Sequence, residues 1–175
     1  MLKLIFILIA VTIVAILILA SFKPDSFRVE RSTLIQATPE KVFPHINDLR
    51  SWAAWSSWEK MDLQMKKTYS ANTAGKGATY EWEGNKKVGH GRMTIADSVP
   101  DNKVVIQLDF ITPFEAHNMG ELTLQAQNTG TLVTWAMYGP MPFISKLFSV
   151  FVSMDKMIGK DFEDSLANLK AVAEK

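Results

Sequence analysis

Between Lys66 and Gly139 the chain alternates between apolar and polar residues in six short runs, KKTYSA, GATYEWEG, VGHGRMTIAD, KVVIQLDFI, EAHNMGELTLQA and TLVTWAMYG. An alternation of period two predicts half-buried strands. Gly84-Asn85, Pro100-Asp101-Asn102, Thr112-Pro113 and Asn128-Thr129-Gly130 separate them. These turns are short, which makes successive strands antiparallel neighbours. FRVERSTLIQA, from Phe27, adds an earlier strand. A sheet of this kind has one apolar face and must cover it. One segment can do so: PMPFISKLFSVFVSMDKMIGKDFEDSLANLKAVAEK, where Leu147, Phe151, Met154, Ile158, Phe162, Leu166, Leu169 and Val172 recur at helical steps. Gly159 is its weak point, a place for a bend or a close backbone approach.

The expected fold class is therefore α+β: a curved antiparallel sheet of about seven strands around a long C-terminal helix. Two short helices follow the first strand. Thr38-Pro39-Glu40 reads as a helix start, with Thr38 as N-cap and Pro39 at the first position. Pro44 and Asn47-Asp48 keep that helix brief. One helix cannot fill the concave face of so bent a sheet, so a cavity is expected between them.

The segment before this domain has a different solvent. No charge occurs between Lys3 and Lys23. As a helix the intervening stretch is about 28 Å long, close to the thickness of a bilayer's hydrocarbon core. Ile18-Leu19-Ala20 and Leu19-Ala20-Ser21 lack the small first residue of a signal-peptidase site, which favours an uncleaved anchor over a signal peptide. The expected organisation is a transmembrane anchor at 1–22, a linker at 23–26 and one domain at 27–175. The short tail before the span fits a single-pass anchor with its N-terminus inside and the domain outside the cytoplasm, in the periplasm. The flanking charges, Lys3 on one side and Lys23, Arg28 and Arg31 on the other, do not decide this orientation.

Composition excludes several functions. The chain is 47% hydrophobic and 21% charged, which suits a folded domain. Its net charge of +1 gives no general attraction for nucleic acid. With no cysteine, there is no disulfide, thiolate nucleophile or cysteine metal site.

The hairpin GATYEWEGNKKVGHGRMTI predicts a register. A turn centred on Asn85-Lys86 sets Glu81 opposite His90, Trp82 opposite Gly89 and Tyr80 opposite Gly91, with the glycines giving the rings room. Tyr80, Trp82, Met93 and Ile95 then share the apolar face. Thr79, Glu81, Glu83, His90, Arg92 and Thr94 share the other. Extending the parity along the sheet and helix gives the expected cavity wall: Tyr80, Trp82, Met93, Leu108, Phe110, Asn118, Trp135, Met154 and Ile158. Core packing and ligand contact are both open to these residues. Tyr80, Asn118 and Trp135 are suited to orient the polar end of a ligand. The Phe-rich Phe143, Ile144, Leu147, Phe148 and Phe151 can form a buried core, a lid or a membrane-facing entrance.

Catalytic motifs are absent: there is no G-x-S-x-G, H-E-x-x-H or P-loop. Glu81 with His90, beside Glu83 and Arg92, is either an acid/base pair or a solvated charge ladder, and the register favours the ladder. Glu115, His117 and Asp109 are either a metal set or a chance alternation of polar residues on the outer face. His45 reads as a helix-surface or capping residue. No catalytic residue, metal ligand or cofactor is assigned.

ATPEKVFPHINDLRSWAAWSSWEKMD, GATYEWEGNKKVGHGRMTI and MIGKDFEDSLANLK, with this order of elements, resemble the START-like (SRPBCC) superfamily. The similarity is strongest to its polyketide cyclase/dehydrase-like group, with Bet v 1-like and Aha1-type relatives. The resemblance covers roughly residues 27–175. It implies a helix-grip fold and a hydrophobic cavity for lipids, polyketides or similar molecules. It leaves chemistry open, since one fold hosts many activities. Three functions follow as expectations. The first is a membrane-tethered binding domain for a small hydrophobic ligand. The second is a cyclase or dehydratase working through Glu81/His90 or Glu115/His117. The third is an Aha1-like interaction module, whose protein partner is unknown.

Trp52, Trp55 and Trp58 stand three residues apart in RSWAAWSSWEKMD. That step suits a 3₁₀ turn. The trio is expected to plug one end of the sheet against the long helix, with a ligand or bilayer mouth as the alternative.

Overall fold

In the computed structural model, which describes residues 1–175, the alternating runs form one sheet of seven antiparallel strands. The elements in chain order are α1 (Leu2–Ser21), β1 (Ser26–Ile35), α2 (Pro39–Asn47), β2 (Lys66–Tyr69), β3 (Thr79–Glu83), β4 (His90–Val99), β5 (Lys103–Thr112), β6 (Ala116–Gln127), β7 (Gly130–Pro140), α3 (Phe143–Ser149) and α4 (Met154–Ala173). Two 3₁₀ turns, Ser51–Ala54 and Ser57–Lys60, lie between α2 and β2. The second of the two short helices expected after β1 is therefore this pair of turns. The strand order is β1-β7-β6-β5-β4-β3-β2, a meander with β1 brought round to pair with β7. Irregularities in the β4–β5 pairing at His90/Gly91 and Ile95/Asp97 bend the sheet.

α4 lies in the concavity because its apolar residues share one face. Phe162, Leu166, Leu169 and Ala173 are buried, and burying Leu166 and Leu169 stabilises the fold by about 1.5–3 kcal/mol each. Its other attachment is polar. Arg31 on β1 donates to Asp155 at 2.8 Å and to Glu163 at 2.7 Å. A Cβ on Gly159 would come within 2.3 Å of that guanidinium, so the glycine is there for close approach and not for a bend. The C-terminal segment is also not one helix. It breaks at 150–153, and Ser153 caps the new start by accepting from the Lys156 amide at 3.3 Å. Phe151, expected on the apolar stripe, falls in the break and is exposed.

The β3–β4 register differs from the expected one by two residues. Trp82 faces Gly91, Tyr80 faces Met93 and Glu83 faces His90. The turn is longer because Gly89 adopts a left-handed φ of 64° and its amide donates to Asn85 O at 2.8 Å. Asp62 holds this loop by accepting from the Asn85 amide at 2.7 Å. A shift of two residues keeps every side chain on its expected face. Gly91 still makes room for an aromatic ring, that of Trp82 rather than Tyr80.

α1 is almost wholly exposed along its length and touches the domain at its C-terminal end, where Ala20 is buried and Ile16 half-buried. Its partner there is α3. Lys146 of α3 also pairs with Asp25 of the linker.

Candidate functional site

A cavity of about 460 Å³ lies between the concave sheet and α4. The register sets its floor in transverse rows. Tyr80, Met93, Leu108 and Asn118 form one row, which continues to Gly139 on β7, since Met119 pairs with Tyr138. Trp82, Gly91, Phe110 and Ala116 form the next row. Trp135 enters from β7, and Met154 and Ile158 close the roof from α4. All nine residues expected in the wall thus lie in the wall of one cavity. A second depression, bounded by Ser26, Phe27, Arg28, Tyr138 and Gly139, is an open groove at the β1–β7 edge.

One end of the cavity is closed by tryptophan. Trp52 and Trp55 are buried, and their ring nitrogens donate to the end of α2, at Ile46 O (3.1 Å) and His45 O (2.9 Å). Trp52, Trp55 and Trp58 all meet Trp135, with centroids 5.4–5.6 Å apart and edge-on geometry. Trp135 stacks on Phe162 of α4 at 4.3 Å. Polar bonds fasten the turns to the helix: the Ser57 amide donates to Ser165 Oγ at 2.9 Å, and Asn168 Nδ2 donates to Trp55 O at 3.0 Å. The expected plug is present, and Trp52 and Trp58 also line the cavity.

The opposite end carries exposed apolar side chains. Phe114, in the β5–β6 loop, and Met157 line the cavity there and are exposed. Phe114 lies 6.5 Å from the ring of Phe148 on α3. Phe143, Ile144, Phe151 and Val152 extend the apolar surface. These residues are therefore no buried core, and α3 joins them to α1.

The wall holds one buried carboxylate that sequence reasoning missed. Glu59, in the second 3₁₀ turn, accepts from Tyr80 Oη at 2.7 Å and from Lys67 Nζ. Tyr80, expected to orient a ligand's polar end, is thus committed to Glu59. Burial pushes its phenol well above the ordinary tyrosine range, and the bond to Glu59 adds to this. Tyr69 stacks on Tyr80 at 4.8 Å, and its phenol is also raised, by burial first and then by the nearby Glu59 charge. Nothing periodic marks Glu59, since 3₁₀ turns have too few residues to show a stripe.

The two charged pairs weighed as catalysts lie on the outer face. Glu81 accepts from His90 at 3.0 Å, and both are partly exposed. That bond holds the Glu81 carboxyl below its usual range. His117 bridges Asp109 at 2.7 Å and Glu115 at 3.3 Å through its two ring nitrogens. Asp109 raises the imidazole's pKa, and His117 lowers that of Asp109. His117 is 66% exposed and Glu115 77%, so this is a surface ion-pair chain whose members alternate along the chain with the cavity-lining Leu108, Phe110, Phe114 and Ala116. None of the four residues lines the cavity.

Comparisons with known proteins agree with this architecture. Solved structures share the fold at low sequence identity. Protein CV1439 from Chromobacterium violaceum is 16% identical with a TM-score of 0.58, over 87% of this chain and 99% of that one. The Aha1 dimer from Colwellia psychrerythraea is 15% identical with a TM-score of 0.61, over 85% and 96%. The di-domain ARO/CYC StfQ from the steffimycin biosynthetic pathway is 10% identical with a TM-score of 0.63, over 85% of this chain and 51% of that one. No curated protein matches. A family model does, described as polyketide cyclase/dehydrase and lipid transport, and it spans residues 26–174, which leaves outside it little more than the apolar helix: the chain belongs to this family.

Proposed function

We propose that this protein is a membrane-tethered binding domain for a small hydrophobic ligand. The observation that carries the reading is the cavity, 18 of whose 23 wall residues are hydrophobic. Family membership supports it, because the family's description includes lipid transport. α1 serves as the tether in this reading: it is an apolar helix of 20 residues, long enough to cross a bilayer. The domain lies outside the cytoplasm, and alkaline phosphatase fused to the C-terminus, active only there, tests that orientation.

The binding test uses the full chain in amphipol and the neutral fluorophore N-phenyl-1-naphthylamine. Saturable binding at one site is expected. Gly120 lies on the cavity floor, where an added Cβ meets only Ile106 at ordinary distance, so Gly120→Leu fills the space without a backbone clash. It should weaken the probe at least tenfold. Equal binding by wild type and Gly120→Leu would sink the reading.

Catalysis in the same cavity is a second reading, favoured by one observation: Glu59 and Tyr80 are hydrogen-bonded in its wall. It no longer involves Glu81, His90, Glu115 or His117.

A further inference from the structure

Asn118 is a buried polar side chain of the cavity wall that has no protein partner, a property it shares with Ser56 beside the tryptophan plug. Asn118 is 7% exposed and belongs to the transverse row running from Tyr80 to Gly139. Every side-chain nitrogen or oxygen sealed from solvent in this protein is hydrogen-bonded, and the carboxamide of Asn118 is bonded to no protein group. The carboxamide therefore opens onto the cavity whose wall it forms. Its place is built. A Cβ on Gly139 would stand 2.0 Å from Oδ1, so β7 omits a side chain where the carboxamide lies. Oδ1 lies beside that strand and neither polar atom of the carboxamide is sealed, so Nδ2 is free to donate into the cavity. A buried amide without a partner is costly, and a bonding oxygen removes that cost.

The charge around it restricts what that oxygen belongs to. Lys87 is the one basic residue of the wall, and it sits exposed on the β3–β4 loop. Lys67 is engaged by Glu59. Asn118's neighbours along its row are Leu108 and Gly139, with Met93 beyond Leu108, and none of them carries a charge. A carboxylate or phosphate seated there would be desolvated without a counter-charge.

We infer that Asn118 is a specificity-determining residue, and that the ligand is an uncharged apolar molecule with a carbonyl or hydroxyl oxygen set within its hydrocarbon framework. This rests on the cavity being a hydrophobic-ligand site. The oxygen accepts from Asn118 Nδ2, and the rest of the molecule lies against the methionine and aromatic wall.

The test is displacement of N-phenyl-1-naphthylamine from the amphipol-held full chain by undecan-6-one, undecane and undecanoate. The readout is the ketone-to-alkane affinity ratio in wild type divided by that in a variant, which cancels each competitor's partition into amphipol. In Asn118→Leu, and in Asn118→Ala as a variant without added bulk, the ratio should fall about fivefold, the loss of one neutral hydrogen bond. Undecanoate should compete worst of the three. A ratio unchanged in both variants, with the probe still bound, overturns the inference and leaves the cavity reading intact. Undecanoate competing better than the ketone overturns the uncharged class. Failure of wild type to bind the probe at all overturns the cavity reading and this inference with it.

Discussion

The two ends of the cavity are built from the same residue class to opposite effect. At the closed end, Trp52, Trp55 and Trp135 are buried, ring against ring, and the Trp52 and Trp55 nitrogens are satisfied by backbone carbonyls. At the open end, Phe114, Phe143, Phe148 and Phe151 are between 49% and 75% exposed and have no polar atom to satisfy. Tryptophan at the closed end gives area, edge-to-face contact and a polar handle that fixes orientation. Phenylalanine at the open end gives area without direction, and under the proposed tethering that suits a fluid partner such as a bilayer. Aromatic content alone therefore does not mark a core. The donors and acceptors around the rings separate a plug from a contact surface.

The largest effect should come from the closed end. Trp55→Ala, and Trp52→Ala beside it, should each lower unfolding stability by about 3–5 kcal/mol in chemical denaturation. An unchanged midpoint in both would abolish the distinction between the ends.

Midway between them, Tyr80→Phe removes the hydroxyl that donates to Glu59 and should cost about 1.5–3 kcal/mol at pH 7. Its pH dependence has a definite sign. Burial raises the phenol's pKa in the folded state above that of the unfolded chain. The contribution is therefore complete below about pH 10 and is lost as pH rises beyond it. Wild type should lose stability between pH 10 and 12 more steeply than Tyr80→Phe. Parallel curves would show that the hydroxyl is not held as described.

The smallest stability effect should come from the open end. Phe148→Ser combined with Phe151→Ser should shift stability by no more than about 0.5 kcal/mol per residue. Uptake of N-phenyl-1-naphthylamine from vesicles should slow, while its equilibrium affinity holds. A fall in stability comparable to Trp55→Ala would make this surface a second plug.

Much of this was legible in the sequence, because strand parity is a robust signal. Tyr80, Trp82, Met93, Leu108, Phe110, Asn118 and Trp135 alternate with outward residues, and even a two-residue error in the hairpin register left them facing inward. The register itself was not legible, since it depended on Gly89 turning left-handed and on Asp62 reaching from outside the hairpin. The helix break at 150–153 was hidden by an apolar stripe that runs through it. Glu59 was hidden by the brevity of its turn, and its partners Lys67 and Tyr80 lie on strands that no local pattern connects to it. Long-range polar pairs leave little trace in periodicity.

Gly159 has a consequence for how the chain can change length. The Arg31 guanidinium fills the space a side chain would take there, between Asp155 and Glu163. One arginine thereby indexes α4 both in rotation about its axis and in travel along β1. A residue inserted between Asp155 and Glu163 would turn the rest of the helix by about 100°. Phe162, Leu166 and Leu169 would then leave the sheet together. A length change at 150–153, between the two helices and upstream of the index point, would leave that register untouched. The mouth can thus be remodelled by insertion or deletion while the cavity roof stays in register.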